Sequence, residues 1–281
     1  MNRFKTFVLM AVMTIIVMLL MQYIGAALGL SGHAGLGIGL VIAVLMNLVT
    51  YFNCDKMVLA MYKTRPVPEN DGVITPIVRR LTQKSGLPMP RLYYVDEQSP
   101  NAFATGRDPA HAVVCVTTGI MQLLSADELE GVLAHELSHV KNRDILISTV
   151  AACLAGIVTY IGRIGFWFSG RENRGGAVLF SLLASVAMLL MQLWVSRTRE
   201  YMADEDGARM CGRPGALANA LLRLEEGAKT RPMSSENTLT ENLFIVNPFT
   251  KSAVASLFST HPPIQKRVEK LRQMERGSVI R

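Results

Sequence analysis

Two histidines four residues apart on a helix lie one above the other, so both imidazoles can reach a single Zn2+ while a glutamate between them faces a water on the metal. His135-Glu136-Leu137-Ser138-His139 has this spacing. The chemistry on offer is metal-assisted hydrolysis of a peptide bond. Five residues can also meet by accident on an amphipathic helix, as two part-exposed surface histidines, so the elements around them must decide.

The local pattern supports a helix. Ser125-Ala126-Asp127-Glu128 has the form of a capping box, a Ser N-cap with Glu three residues on, so a helix should begin near Ala126. Leu129, Val132, Leu133, Leu137 and Val140 recur at three- and four-residue steps and form the stripe to be buried. His135, His139 and Asn142 share the adjacent stripe, beside the packed face.

The chain has 281 residues, half of them hydrophobic, and a mean hydropathy of +0.27, too apolar for an ordinary soluble domain. Residues 7–30, 34–52, 145–161 and 177–196 are uncharged and of a length to cross a bilayer, which takes about 20 apolar residues as a helix. For the first the alternative is a signal peptide, but the run exceeds a signal core and no cleavage site follows. For the last two it is a buried helical hairpin, since Gly156, Gly162 and Arg163 weaken the third run. Of the 29 Lys and Arg residues, only Arg163, Arg171 and Arg174 fall in the loop after the third run, and none in 31–33. Positive charge collects on the cytoplasmic side, so both termini and both long polar stretches are expected there. A net charge of +7 follows from that rule and an anionic inner leaflet; nucleic acid is not called for. Cys54, Cys115, Cys153 and Cys211 form no CxxC pair and read as reduced, buried residues.

Between the hydrophobic runs, residues 53–68 suggest a linker with Pro66 and Pro68, 73–84 a helix ending near Gly86, and 92–95 and 112–117 short strands. The expected fold class is therefore mainly α with a small β-sheet, α+β. Asn101-Ala102-Phe103-Ala104 lies between the strands; it is either an edge that pairs with an extended substrate or simply packing. A catalytic zinc takes three protein ligands and keeps one position open. Two membrane crossings after His139 return the chain to the same side, where Glu200 and Asp204 stand at i and i+4. Glu200 can ligate the metal, and Asp204 can accept from a ligand imidazole and fix its tautomer. An acid pair at this spacing can also be a solvated helix face.

Taken together, the pentapeptide with Asn142 and Asp144, Arg199-Glu200-Tyr201-Met202-Ala203-Asp204, Thr260-His261-Pro262-Pro263 with Arg267, and Asn101 to Gly106 resemble the HtpX family of bacterial membrane-bound zinc metalloproteases. The resemblance implies a gluzincin-type fold with four transmembrane helices, one Zn2+ per chain on His135, His139 and Glu200, and Glu136 as catalytic base. It also implies a multi-pass inner-membrane enzyme with its active site in the cytoplasm. Its substrates would be proteins or peptides, membrane proteins foremost, and its partners membrane proteases or other quality-control proteins. The expected organisation is a membrane hairpin over 1–53, catalytic sequence with the metal helix over 54–144, a second hairpin over 145–196 and catalytic sequence with the third ligand over 197–281.

The C-terminal part reads as a helix over 215–226 after Gly212 and Pro214, a mobile loop over 231–241 and a last helix over 264–274. His261 is either a donor to the oxyanion or a structural residue, and Tyr201 is a rival donor. His33 and His111 have no metal-spaced neighbours. Two further readings stand beside the first: a narrow-specificity processing protease similar to the CAAX prenyl proteases, and a non-catalytic membrane scaffold whose structural zinc takes His261 or Asp204 as a fourth ligand.

Overall fold

The computed structural model describes residues 2–27, 29–150, 153, 197–231, 245 and 262–278. The first two elements are the long helices α1 (Asn2–Ala27) and α2 (Gly32–Met61), folded back on each other. Gly35 and Gly39 bring their backbones together: a Cβ there would lie 2.9 Å from Gln22 Cα and 2.8 Å from Met18 Cα. The outer face of this hairpin exposes Phe7, Ile15, Leu19, Val41, Leu45 and Phe52, a contiguous apolar surface that water does not favour.

Among the described residues one helix, His33–Met61, is long and apolar enough to cross a membrane; the apolar run of α1, Thr6–Gln22, is shorter. Four spanning helices are thus not established: 177–196 and, apart from 145–150 and Cys153, the run 145–161 lie outside the described residues. The expected linker over 53–68 is corrected. α2 continues through Asp55 and Lys56 to Met61, because Cys54, Val58 and Tyr62 pack into a cluster with Val95, Phe103, Val113, Cys115 and Cys153. At 1.5 Å per residue α2 is about 45 Å long, beyond the roughly 30 Å hydrocarbon core, so its last turns can reach the sheet.

That sheet has the order β1-β2-β4-β3. β1 (Arg65–Pro66) is antiparallel to β2 (Arg91–Val95), β2 is parallel to β4 (Val113–Thr117), and β3 (Ala102–Thr105) is antiparallel to β4. Pro66 is accommodated because β1 is an edge. Between β1 and β2 lies α3 (Ile74–Ser85); Asp71 Oδ1 accepts from Val73, Ile74 and Thr75 N–H at its start. A short α4 (Thr118–Leu123) leads to α5 (Ala126–Lys141), then come α6 (Arg197–Cys211), α7 (Pro214–Thr230) and α8 (Ile264–Ser278). α5 is the centre of the molecule, packed by β3, α3, α6 and α7. Its expected stripe is buried, but so is every residue from Glu128 to Ser138.

Candidate active site

The metal helix is held at both ends. At its start Ser125 Oγ accepts from Glu128 N–H while Ser125 N–H donates to Glu128 Oε2, the reciprocal box. At its end Arg143 adopts a left-handed conformation, φ 58°, and Asp144 N–H donates back to His139 O at 2.9 Å. That turn brings the Asp144 carboxylate beside the last histidine of the helix.

His135 and His139 project from α5 with their Nε2 atoms 3.2 Å apart. α6 delivers Glu200 to the same spot, with oxygens 3.7 Å from His135 Nε2 and 3.5 Å from His139 Nε2. Donors around an ion held tetrahedrally at about 2.0–2.1 Å stand roughly 3.4 Å apart, and the His–His separation of 3.2 Å and the His–Glu separations of 3.5 and 3.7 Å, which end on the two different oxygens of the Glu200 carboxylate, lie close to that spacing. The donor set therefore fits a divalent cation, and the electrostatics agree. Burial lowers the His139 pKa, but Asp144, Glu200 and Glu136 overcome that and push it up to about 9; the pocket draws positive charge. His135 is wholly buried and is held below its ordinary value by desolvation, which keeps a lone pair available for a metal.

Carboxylates stand behind both imidazoles. His135 Nδ1 lies 3.0 Å from Asp204 Oδ1, off the ideal hydrogen-bond line, and His139 Nδ1 is 3.4 Å from Asp144 Oδ2. Asp204 is in turn gripped by Arg267 from α8, whose Nε and Nη2 each donate at 2.7 Å. Burial raises the Asp204 pKa, but the guanidinium overcomes it and holds the carboxyl below its usual range. Arg267 also donates through Nη1 to Ile245 O at 3.0 Å and lies 3.4 Å from Glu200 Oε2. On the other side Arg199 Nη1 is 3.5 Å from Asp144 Oδ1.

Glu136 lies between the ligands and β3, its carboxylate within reach of the Ala104 N–H and of the charges on His139 and Glu200. It is 3% exposed, and desolvation, with Glu200 adding and the Ala104 N–H and His139 opposing, pushes its pKa up to about 8. Asn101 O accepts from Thr117 N–H at 2.9 Å, so by the alternation of an antiparallel ladder Ala102 and Ala104 turn their peptide groups to the outer edge of β3. Among the described residues β4 is the only strand partner of β3. The Asn101 side chain is engaged inside the fold, its Oδ1 accepting from Ala102 N–H at 3.0 Å and Ile245 N–H at 3.2 Å, and Phe103 is buried against Tyr62.

Of the other residues singled out in the sequence, Asn142 closes α5 and donates to Asp206 at 2.9 Å, tying the helix end to α6. Tyr201 carries the Lys270 ammonium over its ring at 3.9 Å. His261 and the loop 232–241 lie outside the described residues. Asp144, Arg199 and Arg267 stand in the sequence motifs, but their roles emerge only from the fold. The available signal for Arg267 was its place on the apolar stripe of α8, one turn after Ile264 and one before Leu271. A cation there must have a buried partner.

Two histidines and a glutamate placed to hold a cation, on a helix packed against a small mixed sheet, are the arrangement of the metallopeptidase class. The chain belongs to peptidase family M48, whose description, "Peptidase family M48", matches residues 68–275; it is a metalloprotease, a hydrolase. Among its relatives, the "Protease HtpX homolog" of Pelotomaculum thermopropionicum is 48% identical over 286 residues, spanning 98% of this chain and 99% of that one. The one from Thermococcus kodakarensis is 48% identical over 239 residues, 81% and 82% of the two chains. The crystal structure of S. mikatae Ste24p superposes with a TM-score of 0.54 at 20% identity, over 91% of this chain and 62% of that one. At that identity the likeness is one of fold, and this chain spans less than two thirds of Ste24p.

Proposed function

We propose that this metalloprotease is a zinc-dependent endopeptidase anchored in the membrane, with His135, His139 and Glu200 as ligands of one Zn2+ and Glu136 as general base. The observation that carries the reading is the convergence of His135, His139 and Glu200, with a His–His separation of 3.2 Å and the two Glu200 oxygens 3.5 and 3.7 Å from the imidazoles, beside a buried glutamate. Bound Zn2+ supplies Lewis acidity, polarising the scissile carbonyl and bringing the pKa of water to about 7. Glu136 takes the proton of the attacking water and returns it to the leaving amine. A carboxyl that burial raises is suited to both halves of that transfer. The outer edge of β3, through the carbonyls of Ala102 and Ala104, pairs with an extended substrate and holds its scissile bond beside Glu136. Asp204 and Asp144 orient the two imidazoles from behind.

The apolar surface of the α1–α2 hairpin supports membrane anchoring, and the lysine and arginine distribution supports a multi-pass topology with the active site in the cytoplasm. A site joined to the membrane hairpin through the last turns of α2 suits damaged or misfolded membrane proteins as substrates. The decisive experiment is Glu136→Gln on the full chain. It should keep its zinc and lose cleavage of an unfolded protein; undiminished cleavage that chelators do not stop is the contrary result. Labelling of a cysteine in 169–176 from the outer face tests the topology. Likeness of fold to Ste24p favours one other reading, a narrow-specificity processing protease like the CAAX prenyl proteases; preference for prenylated peptides over unfolded proteins would select it.

A further inference from the structure

Glu200, Asp204 and Gly207 stand at i, i+4 and i+7 of α6, a spacing that puts all three on one face of the helix. The first two turn their carboxylates to His135 and His139. The third touches the backbone of α5: a Cβ on Gly207 would lie 2.8 Å from His135 N and 2.9 Å from His135 Cα. Those atoms sit in the middle of a helix packed on every side, so they cannot swing away as the tip of a side chain can. Glycine in a helix interior is also less favourable than alanine, and here its presence has a compensating geometric consequence. α6 lies against α5 at a closeness that no other residue permits here, and the backbone it meets is that of His135, one of the converging donors.

We propose that Gly207 is a positioning residue for the metal site, setting the α5–α6 separation at which Glu200 completes the donor set and Asp204 reaches His135. This rests on the reading of His135, His139 and Glu200 as the metal ligands. A methyl group at 207 must move from 2.8 Å to an ordinary contact of at least 3.4 Å, so α6 retreats by about 0.6 Å. Metal–ligand distances are held to about ±0.2 Å, and the displacement exceeds that tolerance. The Glu200 carboxylate is also held by Arg267 Nη1 from α8, 3.4 Å from Oε2, so following the metal would cost that ion pair.

Gly131 provides the internal comparison. Its Cβ would meet Leu217 Cα and N of α7 at 3.0 Å, a tight backbone approach, slightly looser than that at Gly207, on another side of the same helix. α7 contributes no donor to the set. Alanine at 131 should therefore disturb packing and leave the metal geometry alone, whereas alanine at 207 should act on the metal geometry.

The test uses the full-length chain in detergent, with zinc affinity read by competition against a chromophoric chelator and the melting temperature of the metal-free protein recorded in parallel. Gly207→Ala should bind zinc about 10–100-fold more weakly than wild type, the range seen when residues supporting metal ligands are replaced. Gly131→Ala should lower the melting temperature with affinity unchanged. If Gly207→Ala is too unstable for the competition assay, the rise of its melting temperature with free zinc reads the same affinity. Wild-type affinity in Gly207→Ala, or equal losses in both glycine variants, overturns the proposal. Glu200→Gln separates this from the underlying reading: if wild type takes up no zinc, or Glu200→Gln binds as wild type does, the ligand assignment itself is at fault.

Discussion

Replacing Arg267 with methionine keeps most of the side-chain length and removes the guanidinium. Arg267 is 0% exposed and is the cation facing two buried acids, Asp204 through two bonds of 2.7 Å and Glu200 at 3.4 Å. Without it Asp204 and Glu200 remain buried with their principal counter-charge gone. Removing one member of a buried ion pair costs about 3–5 kcal/mol, well above the ~1 kcal/mol net value of a hydrogen bond. At roughly 2–4 °C per kcal/mol for domains of 150–250 residues, the metal-free variant should melt about 6–20 °C below wild type. The pH dependence has a definite sign. In wild type the folded pKa of Asp204 is depressed, because Arg267 outweighs burial; that contribution is complete above the unfolded pKa and is lost only as pH falls through the lower folded value. In the variant burial, the largest influence on this group, is opposed only by His135, so the folded pKa moves up past the unfolded one, and acidification through that raised value restores stability. Thermal melts of both metal-free proteins between about pH 8 and pH 5 should thus show a gap that narrows on acidification. A deficit below about 3 °C, less than half the lower bound worked above, or a gap constant with pH, refutes the reasoning.

Two further outcomes follow from the same contacts. Asp144→Asn weakens the hold on His139 Nδ1 and should lower zinc affinity about 10–100-fold in a chelator competition, with the metal-free fold retained by circular dichroism. Burial pushes Glu136 up to about 8, so the folded metal-free chain holds a proton that the unfolded chain releases at lower pH; its stability should fall as pH rises from the ordinary carboxyl range towards that value. Glu136→Gln should abolish that component of the slope, and melts across the interval would detect its persistence.

The helices and strands near the site were legible because their signals are local. Ser125 and Glu128 form the expected capping box; the helix read over 73–84 spans Ile74–Ser85 with Gly86 as its left-handed cap; the runs at 92–95 and 112–117 are β2 and β4. Gly215 to Glu226 and Ile264 to Met274 lie inside α7 and α8. The polarity of 53–68 misled, since Asp55 and Lys56 reside in a helix whose Asp55 carboxylate finds Arg91 on β2. A two-residue strand such as β1 has no period to detect.

Spacing along the chain by itself singled out the residues that converge: an i, i+4 pair of histidines with a glutamate between them, and a later i, i+4 pair of acids, because helix geometry converts those intervals into shared faces. Tertiary structure alone decided how the pairs meet. Arg267 is 63 residues from Asp204, Ile245 is 144 residues from Asn101, and Gly207 touches His135 only because α6 lies against α5. No local rule joins such positions. They are brought together when the chain buries its charged groups in a site that leaves each of them a partner.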